Sequence, residues 1–177
     1  MTNSMNVDEL LQDMGQELID LLESQGISNP VMIGIHSGGV WIAEKLHQQL
    51  GLESPLGVLD ISFYRDDFTR IGINPQVKPT SLPFSIDDQH IILVDDVLHT
   101  GRTIRAAMNE LFDYGRPASI FLVALVERSG RELPIAANVV GKHLDLAAGE
   151  HVKLTGPTPL QLVLQSEKKS DRESVNR

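Results

Sequence analysis

The chain has 177 residues, enough to bury the core of one domain, and its 41% hydrophobic and 22% charged residues are typical of a soluble globular protein. Its net charge is −9 and its first basic residue is Lys45, which argues against nucleic acid as the main partner. The lack of cysteine excludes a disulfide scaffold, and no apolar run is long enough for a membrane span. Because the N-terminus is acidic, we expect no export signal and predict a cytoplasmic protein.

A periodic apolar stripe predicts a helix in the first 25 residues. Asn6 and Glu9 resemble a capping box at its start, and Gly26 is the expected stop. The stripe consists of Val7, Leu10, Leu11, Met14, Leu18, Leu21 and Leu22. The remaining positions are mostly acidic or polar, so we expect a surface helix with one buried face. This face could meet a second copy of the chain, and we expect a homo-oligomer.

Short apolar runs along the rest of the chain predict strands. They are "VMIGIHSGG", "PLGVLDISFY", "HIILVDDV", "PASIFLVALVE", "NVVGKHL", "HVKLTG" and "LQLVLQ". Helical patterns over residues 40–50 and about 103–114 alternate with them, which predicts an α/β fold with a mostly parallel sheet flanked by helices. We expect a single domain over residues 1–165 and a disordered tail over 166–177. Residues 65–89 contain three prolines and no periodicity, as in a binding loop or a plain surface loop.

The segment "VDDVLHTGRT" combines carboxylates with a glycine turn. Asp95 and Asp96 follow a buried strand, and we expect both outside the core because burying an unpaired carboxylate is costly. Thr100 to Thr103 lies where the strand turns into a helix, so its backbone N–H groups and hydroxyls form a seat for a phosphate. The aspartates would face hydroxyl groups or Mg²⁺. A ribose 5-phosphate satisfies both halves.

The same segment resembles the phosphoribosyl-pyrophosphate (PRPP) motif of the type I phosphoribosyltransferases. With "DISFYRDD", "GRPASIFLVALVERSGRELPI" and "VGKHL" in the expected order, the chain is similar to the PyrR family, pyrimidine operon regulators that are also uracil phosphoribosyltransferases. The resemblance implies a type I phosphoribosyltransferase fold with a small hood. It also implies a reaction in which uracil and PRPP give UMP and pyrophosphate, with Mg²⁺ as cofactor.

The resemblance further implies roles for individual residues. Asp95 and Asp96 would hold the ribose hydroxyls and the metal and, with Arg65, form the catalytic set. The implied PRPP-binding residues are Ser37, Gly38, Asp95, Asp96, Val97, Leu98, His99, Thr100, Gly101, Arg102 and Thr103. Arg65 and the stretch after it would close over the site. Arg128 falls where the family forms part of its base pocket.

The chain departs from the PyrR pattern at several phosphate contacts. Ser37-Gly38-Gly39 stands in place of Thr-Arg-Gly, "RSG" replaces Arg-Gly-His, and Ala136 occupies a position where arginine is common. The surviving candidate RNA contacts are Arg116, Arg131, Lys142 and Lys153. Because each loss removes a phosphate contact, we expect weak RNA binding. Two alternatives to the uracil enzyme stay open, a UMP-sensing RNA-binding attenuator with little turnover and a purine phosphoribosyltransferase.

Overall fold

The computed structural model describes residues 5–61 and 80–167. The helices in these ranges are α1 (Val7–Ser24), α2 (Gly38–Leu50) and α3 (Arg102–Tyr114). The strands are β1 (Val31–Ile35), β2 (Gly57–Leu59), β3 (His90–Leu98), β4 (Ser119–Arg128), β5 (Val139–Leu144), β6 (Glu150–Thr155) and β7 (Gln161–Ser166). The first five strands form a parallel sheet in the order β2-β1-β3-β4-β5, so the predicted α/β fold is confirmed.

Both faces of the parallel sheet are buried, which explains why its strands appear in the sequence as continuous apolar runs. In β4, Val123 and Leu125 pack with α1 and α2, whereas Leu122 and Ala124 pack on the opposite face with α3. None of the helices in the described part of the chain is long and apolar enough to cross a membrane.

Helix α1 begins as the sequence predicts, because the Asn6 side-chain oxygen accepts hydrogen bonds from the N–H groups of Asp8 and Glu9 at 3.1 and 3.3 Å. It ends at Ser24, two residues before Gly26. The central residues of its apolar stripe are fully buried against the sheet of the same chain. The hypothesis that this stripe meets a second copy is therefore wrong, and the oligomeric state stays a prediction.

Strands β6 and β7 form a separate antiparallel hairpin beside the main sheet. Leu154 and Leu162 face each other across this hairpin and are buried in the core that also contains α1 and α2. This hairpin is the candidate for the small hood that the resemblance implies, and its role as a hood stays a prediction. Strand β7 ends at Ser166, and residues 168–177 lie outside the described residues, so the predicted tail and domain limits stay predictions.

A hydrogen-bonded chain connects the loop after β2 with α3. The Thr80 hydroxyl donates to Glu110 Oε1 at 2.9 Å and accepts from the Asp60 N–H at 3.1 Å. The other oxygen, Glu110 Oε2, is buried and has no hydrogen-bond partner among the described residues. Burial chiefly, and the charges of Asp60 and Asp113, raise the pKa of Glu110, although the Thr80 hydrogen bond opposes this shift. Ionising Glu110 therefore costs folding free energy.

This raised pKa predicts a pH-dependent stability. Above about pH 4.5, the usual pKa of a glutamate, the folded chain binds more protons at Glu110 than the unfolded chain does. Stability should therefore fall as the pH rises through the raised pKa. Glu110→Gln keeps an acceptor for Thr80 and removes the ionisation. We therefore compare the melting temperature of Glu110→Gln minus that of the wild type at two pH values. We expect this difference to be a few degrees larger at pH 8 than at pH 5.

The matched control is Glu17→Gln, which removes an exposed glutamate from α1. Its melting temperature relative to the wild type should not change between the two pH values. Equal behaviour of both variants in differential scanning calorimetry would contradict the role given to Glu110.

Candidate functional site

The polar segments predicted to form a site meet at the carboxyl edge of the parallel sheet. Strand β3 pairs with β1 up to Val94, and its last four residues extend beyond that pairing while they continue along β4. The turn between β1 and α2, the turn between β3 and α3, and the loop after β4 all lie at this edge. Ligands of open parallel sheets bind there.

The two aspartates of β3 differ in burial. Asp95 is only 5% exposed, whereas Asp96 is half-buried. The expectation that both carboxylates lie outside the core is therefore wrong for Asp95. Its Oδ1 accepts the N–H of Asp96 at 2.9 Å, and Asp96 Oδ1 accepts the N–H of Val97 at 2.9 Å. Backbone N–H groups at the strand end thus replace hydrogen bonds to water that the carboxylate of Asp95 loses on burial.

The first turn of α2 lies directly against these aspartates. A Cβ atom added at Gly38 would lie 2.3 Å from Asp96 Oδ2, and one added at Gly39 would lie 2.6 Å from the carbonyl oxygen of Val94. The N–H groups of a first helical turn have no acceptor within the helix, and Ser37 makes no side-chain cap here. The arginine that the PyrR pattern has at position 38 could be accommodated only if Asp96 moved.

The turn between β3 and α3 has the geometry of an anion seat. Gly101 has φ +94°, a conformation that favours glycine, and α3 begins at the next residue. The Thr100 hydroxyl oxygen accepts the N–H of Arg102 at 3.2 Å. The carbonyl of Thr100 accepts the N–H groups of Glu132 and Leu133, both at 3.0 Å. The remaining N–H groups of the first turn of α3 are available to a bound anion.

His99 and Arg128 are neighbours beside this turn. Partial burial, followed by the positive charge of Arg128, lowers the pKa of His99, which favours the neutral form of its imidazole. Gly130 lies against this ring, since a Cβ there would be 2.8 Å from His99 Nε2. The Nε of Arg128 is buried without a hydrogen-bond partner in the described part of the chain. A buried donor of this kind is suited to a ligand oxygen.

An open depression of about 380 Å³ lies at the ends of β4 and β5. It is lined by residues 127–131 and 143–145. Glu127 forms an ion pair with Arg131, and its Oε2 lies 2.9 Å from Nδ1 of His143. Sequence reasoning missed Glu127 and His143. The signal that could have revealed them is their position at the ends of two adjacent apolar runs.

Three of the predicted site residues offer no described polar side chain to the site. The side chain of Leu98 is buried, and Val97 packs against the core that contains α1 and α2. These two residues could therefore offer a ligand only their backbone. Arg65 lies outside the described residues.

The two aspartates are also the predicted metal ligands. In the described ranges, no group of three or more His, Asp or Glu side chains could hold a metal ion. Mg²⁺ usually takes only one or two protein carboxylates and completes its shell with water and substrate phosphates. The pair Asp95 and Asp96 fits this mode, because it offers two adjacent carboxylates at the edge of the sheet.

Comparisons with known proteins agree with this geometry. Residues 6–154 match the family model of the phosphoribosyl transferase domain. The chain is 63% identical to a bifunctional protein PyrR of Nitrosococcus oceani, over 92% of this chain and 93% of the relative. It is 61% identical to a bifunctional protein PyrR of Pseudomonas fluorescens, over 90% and 95% of the two chains.

A solved structure shows a similar fold. A hypoxanthine phosphoribosyltransferase from Staphylococcus aureus matches with a TM-score of 0.62 and 22% identity, over 82% of this chain and 78% of that one. At this identity the likeness concerns the fold alone.

The close contact at α2 predicts different effects for its two glycines. Gly39→Ala should lower the melting temperature by about 3–10 °C, because its methyl group meets the rigid carbonyl of Val94. Gly38→Ala should change it by less than about 3 °C, because the carboxylate of Asp96 can rotate away and alanine favours the helix. Calorimetry of the two variants side by side tests this. Equal losses would contradict the geometry of the turn.

Proposed function

Because the chain belongs to the phosphoribosyl transferase domain family and, within it, to the bifunctional PyrR proteins, we propose that it converts uracil and PRPP into UMP and pyrophosphate. The observation that carries this function is the placement of Asp95 and Asp96 between two helix N-termini. A substrate for such a site must present hydroxyl groups or a metal to the carboxylates and phosphates to the helices. PRPP does both.

In the proposed complex, the turn from Thr100 to Thr103 binds the 5-phosphate through its N–H groups and hydroxyls. Asp95 and Asp96 accept hydrogen bonds from the 2- and 3-hydroxyls of the ribose. The first turn of α2, at Ser37 and Gly38, donates backbone N–H groups to the pyrophosphate. Families with this domain generally use Mg²⁺ with PRPP. Here the ion would bind beside the two aspartates and neutralise charge on the leaving pyrophosphate.

Catalysis of this reaction depends more on the positions of the two substrates than on a strong base. The N1 atom of uracil forms a bond to C1 of the ribose, the bond from C1 to the pyrophosphate oxygen breaks, and the N1 proton passes to solvent. Carboxylates held near the sugar favour the positive charge that develops on the ring. Arg65 and the stretch after it keep the predicted role of excluding water from this cation.

Arg128 is the proposed contact to the base. Its unpartnered Nε supports this role because uracil presents two carbonyl oxygens that accept hydrogen bonds. A purine with a carbonyl at its six-membered ring would offer the same acceptor. The purine alternative therefore has to be separated by experiment.

A regulatory role in pyrimidine gene expression accompanies the proposed enzymatic one, since the curated relatives are named bifunctional. RNA would be the partner in that role. Of the candidate RNA contacts, Arg131 is already paired with Glu127, while Lys142 and Lys153 are exposed. The acidic face of α1 offers no phosphate contact. We therefore propose an enzyme with weak RNA binding. Its location in the cytoplasm and its assembly as a homo-oligomer stay predictions from the sequence.

A base panel tests the proposed function. The protein is incubated with Mg²⁺, PRPP and equal concentrations of uracil, cytosine, adenine, guanine and hypoxanthine, and the nucleotides are identified by mass spectrometry. We expect UMP as the main product. Formation of a purine nucleotide instead would favour the purine alternative. UMP-dependent retention of RNA without any nucleotide formed would favour the attenuator.

Asp96→Asn tests the catalytic pair. Asparagine keeps the oxygen that accepts the N–H of Val97, so we expect the melting temperature to stay within about 2 °C of the wild type. The loss of a charged acceptor for the ribose should lower kcat/KM by at least about 10- to 100-fold.

The control for this variant is Asp13→Asn, which removes an exposed carboxylate from α1 and should change neither quantity. A large drop in melting temperature for Asp96→Asn with intact turnover would contradict the role of Asp96.

A further inference from the structure

The carbonyl group of Thr100 is held away from the phosphate seat by a distant segment. A carbonyl oxygen that faced a phosphate would repel it, because both groups carry negative charge. Here the oxygen accepts two hydrogen bonds, from the N–H groups of Glu132 and Leu133, each at 3.0 Å. These bonds fix the orientation of the peptide between Thr100 and Gly101. The N–H groups of the turn can then face the anion.

The same segment limits the space around Gly101. This glycine is buried, and a Cβ at its position would lie 3.3 Å from the Cβ of Leu133 and 3.4 Å from the Cβ of Ile135. Ile135 in turn packs against the core on the α3 face of the sheet. Leu133 and Ile135 therefore form a rigid backing behind the turn.

An ion pair adds little to this backing. Arg102 Nε lies 2.9 Å from Glu132 Oε2, but both side chains are 55% exposed. An exposed ion pair contributes little to stability, because solvent screens it and both long side chains lose freedom. The backbone hydrogen bonds and the apolar contact of Leu133 are the main restraints on the turn.

We infer that Leu133 is a positioning residue for the 5-phosphate of the substrate, acting through Thr100 and Gly101 without touching the substrate. The inference rests on the proposed function and deepens it. A preorganised turn binds phosphate without first having to order its N–H groups. Loosening it should weaken ligands that carry a 5-phosphate and spare ligands that lack one. A role in folding alone would affect both kinds equally.

The test compares Leu133→Gly with Leu82→Gly, because glycine removes the Cβ that lies beside Gly101, whereas alanine would keep it. Leu82 is a half-buried leucine that packs on the same core but lies beside Gly57, at the start of β2 and away from the turn. Dissociation constants for UMP, uridine and ribose 5-phosphate are measured by calorimetry, and the KM values for PRPP and uracil by initial rates.

For Leu133→Gly we expect the affinities for UMP and ribose 5-phosphate to fall about 10-fold and the KM for PRPP to rise similarly. Uridine affinity and the KM for uracil should change less than about 2-fold. Leu82→Gly should change none of these ratios. If Leu133→Gly does not fold, Ile135→Val, which removes the Cδ1 atom beside Gly101, should show the same pattern at smaller size. Equal weakening of UMP and uridine, or no weakening, would overturn the inference.

Ribose 5-phosphate separates this inference from the proposed function. If the wild type binds ribose 5-phosphate but makes no UMP, the proposed function fails while Leu133 can still be assessed with this probe. If the wild type binds UMP no better than uridine and does not bind ribose 5-phosphate, the phosphate seat itself is absent and the inference is overturned.

Discussion

The arrangement of the site depends on the close approach of α2 to the ends of β1 and β3. Three glycines make this approach feasible. A Cβ at Gly34 would lie 2.8 Å from the Cα of Val40, and side chains at Gly38 and Gly39 would meet the end of β3. Each absent side chain brings the partially positive end of the helix nearer to Asp95 and Asp96. The carboxylates of β3 and the N-terminal end of α2 thus lie side by side. A site with both acidic groups and anion-binding N–H groups requires both elements.

This combination explains how an acidic protein can bind a polyphosphate. The chain has a net charge of −9, and two arginines near the site are paired with glutamates, Arg102 with Glu132 and Arg131 with Glu127. In the proposed complex, recognition of phosphate would therefore rely on backbone N–H groups and helix ends more than on free cationic side chains. Such contacts are short-ranged and directional. They suit a small ligand held in one orientation better than the long phosphate backbone of a nucleic acid, whose binding depends on many cationic side chains.

Local sequence patterns predict most of the elements but few of the contacts between them. The apolar run at residues 90–98 predicts β3, and the helix expected from about residue 103 begins at Arg102, because strand burial and helix periodicity are local signals. Three features depend on contacts between residues far apart in the chain: the burial of Asp95, the packing of the α1 stripe and the backing of Gly101 by Leu133. Hydropathy and spacing are local properties of the sequence and do not predict such contacts. The phosphate turn could be predicted as a motif, but its rigidity could not.

The segment that backs the phosphate turn also reaches the proposed base side of the site. Consecutive residues form ion pairs in two directions, Arg131 to Glu127 in the depression and Glu132 to Arg102 at the turn. Arg131 and Glu132 are adjacent in the chain, so the turn and the depression are both contacted by one short segment. The backbone hydrogen bonds of Glu132 and Leu133 to Thr100 hold this segment at the turn more firmly than its exposed ion pair does. A substitution in this segment can therefore affect both the glycine turn and the depression.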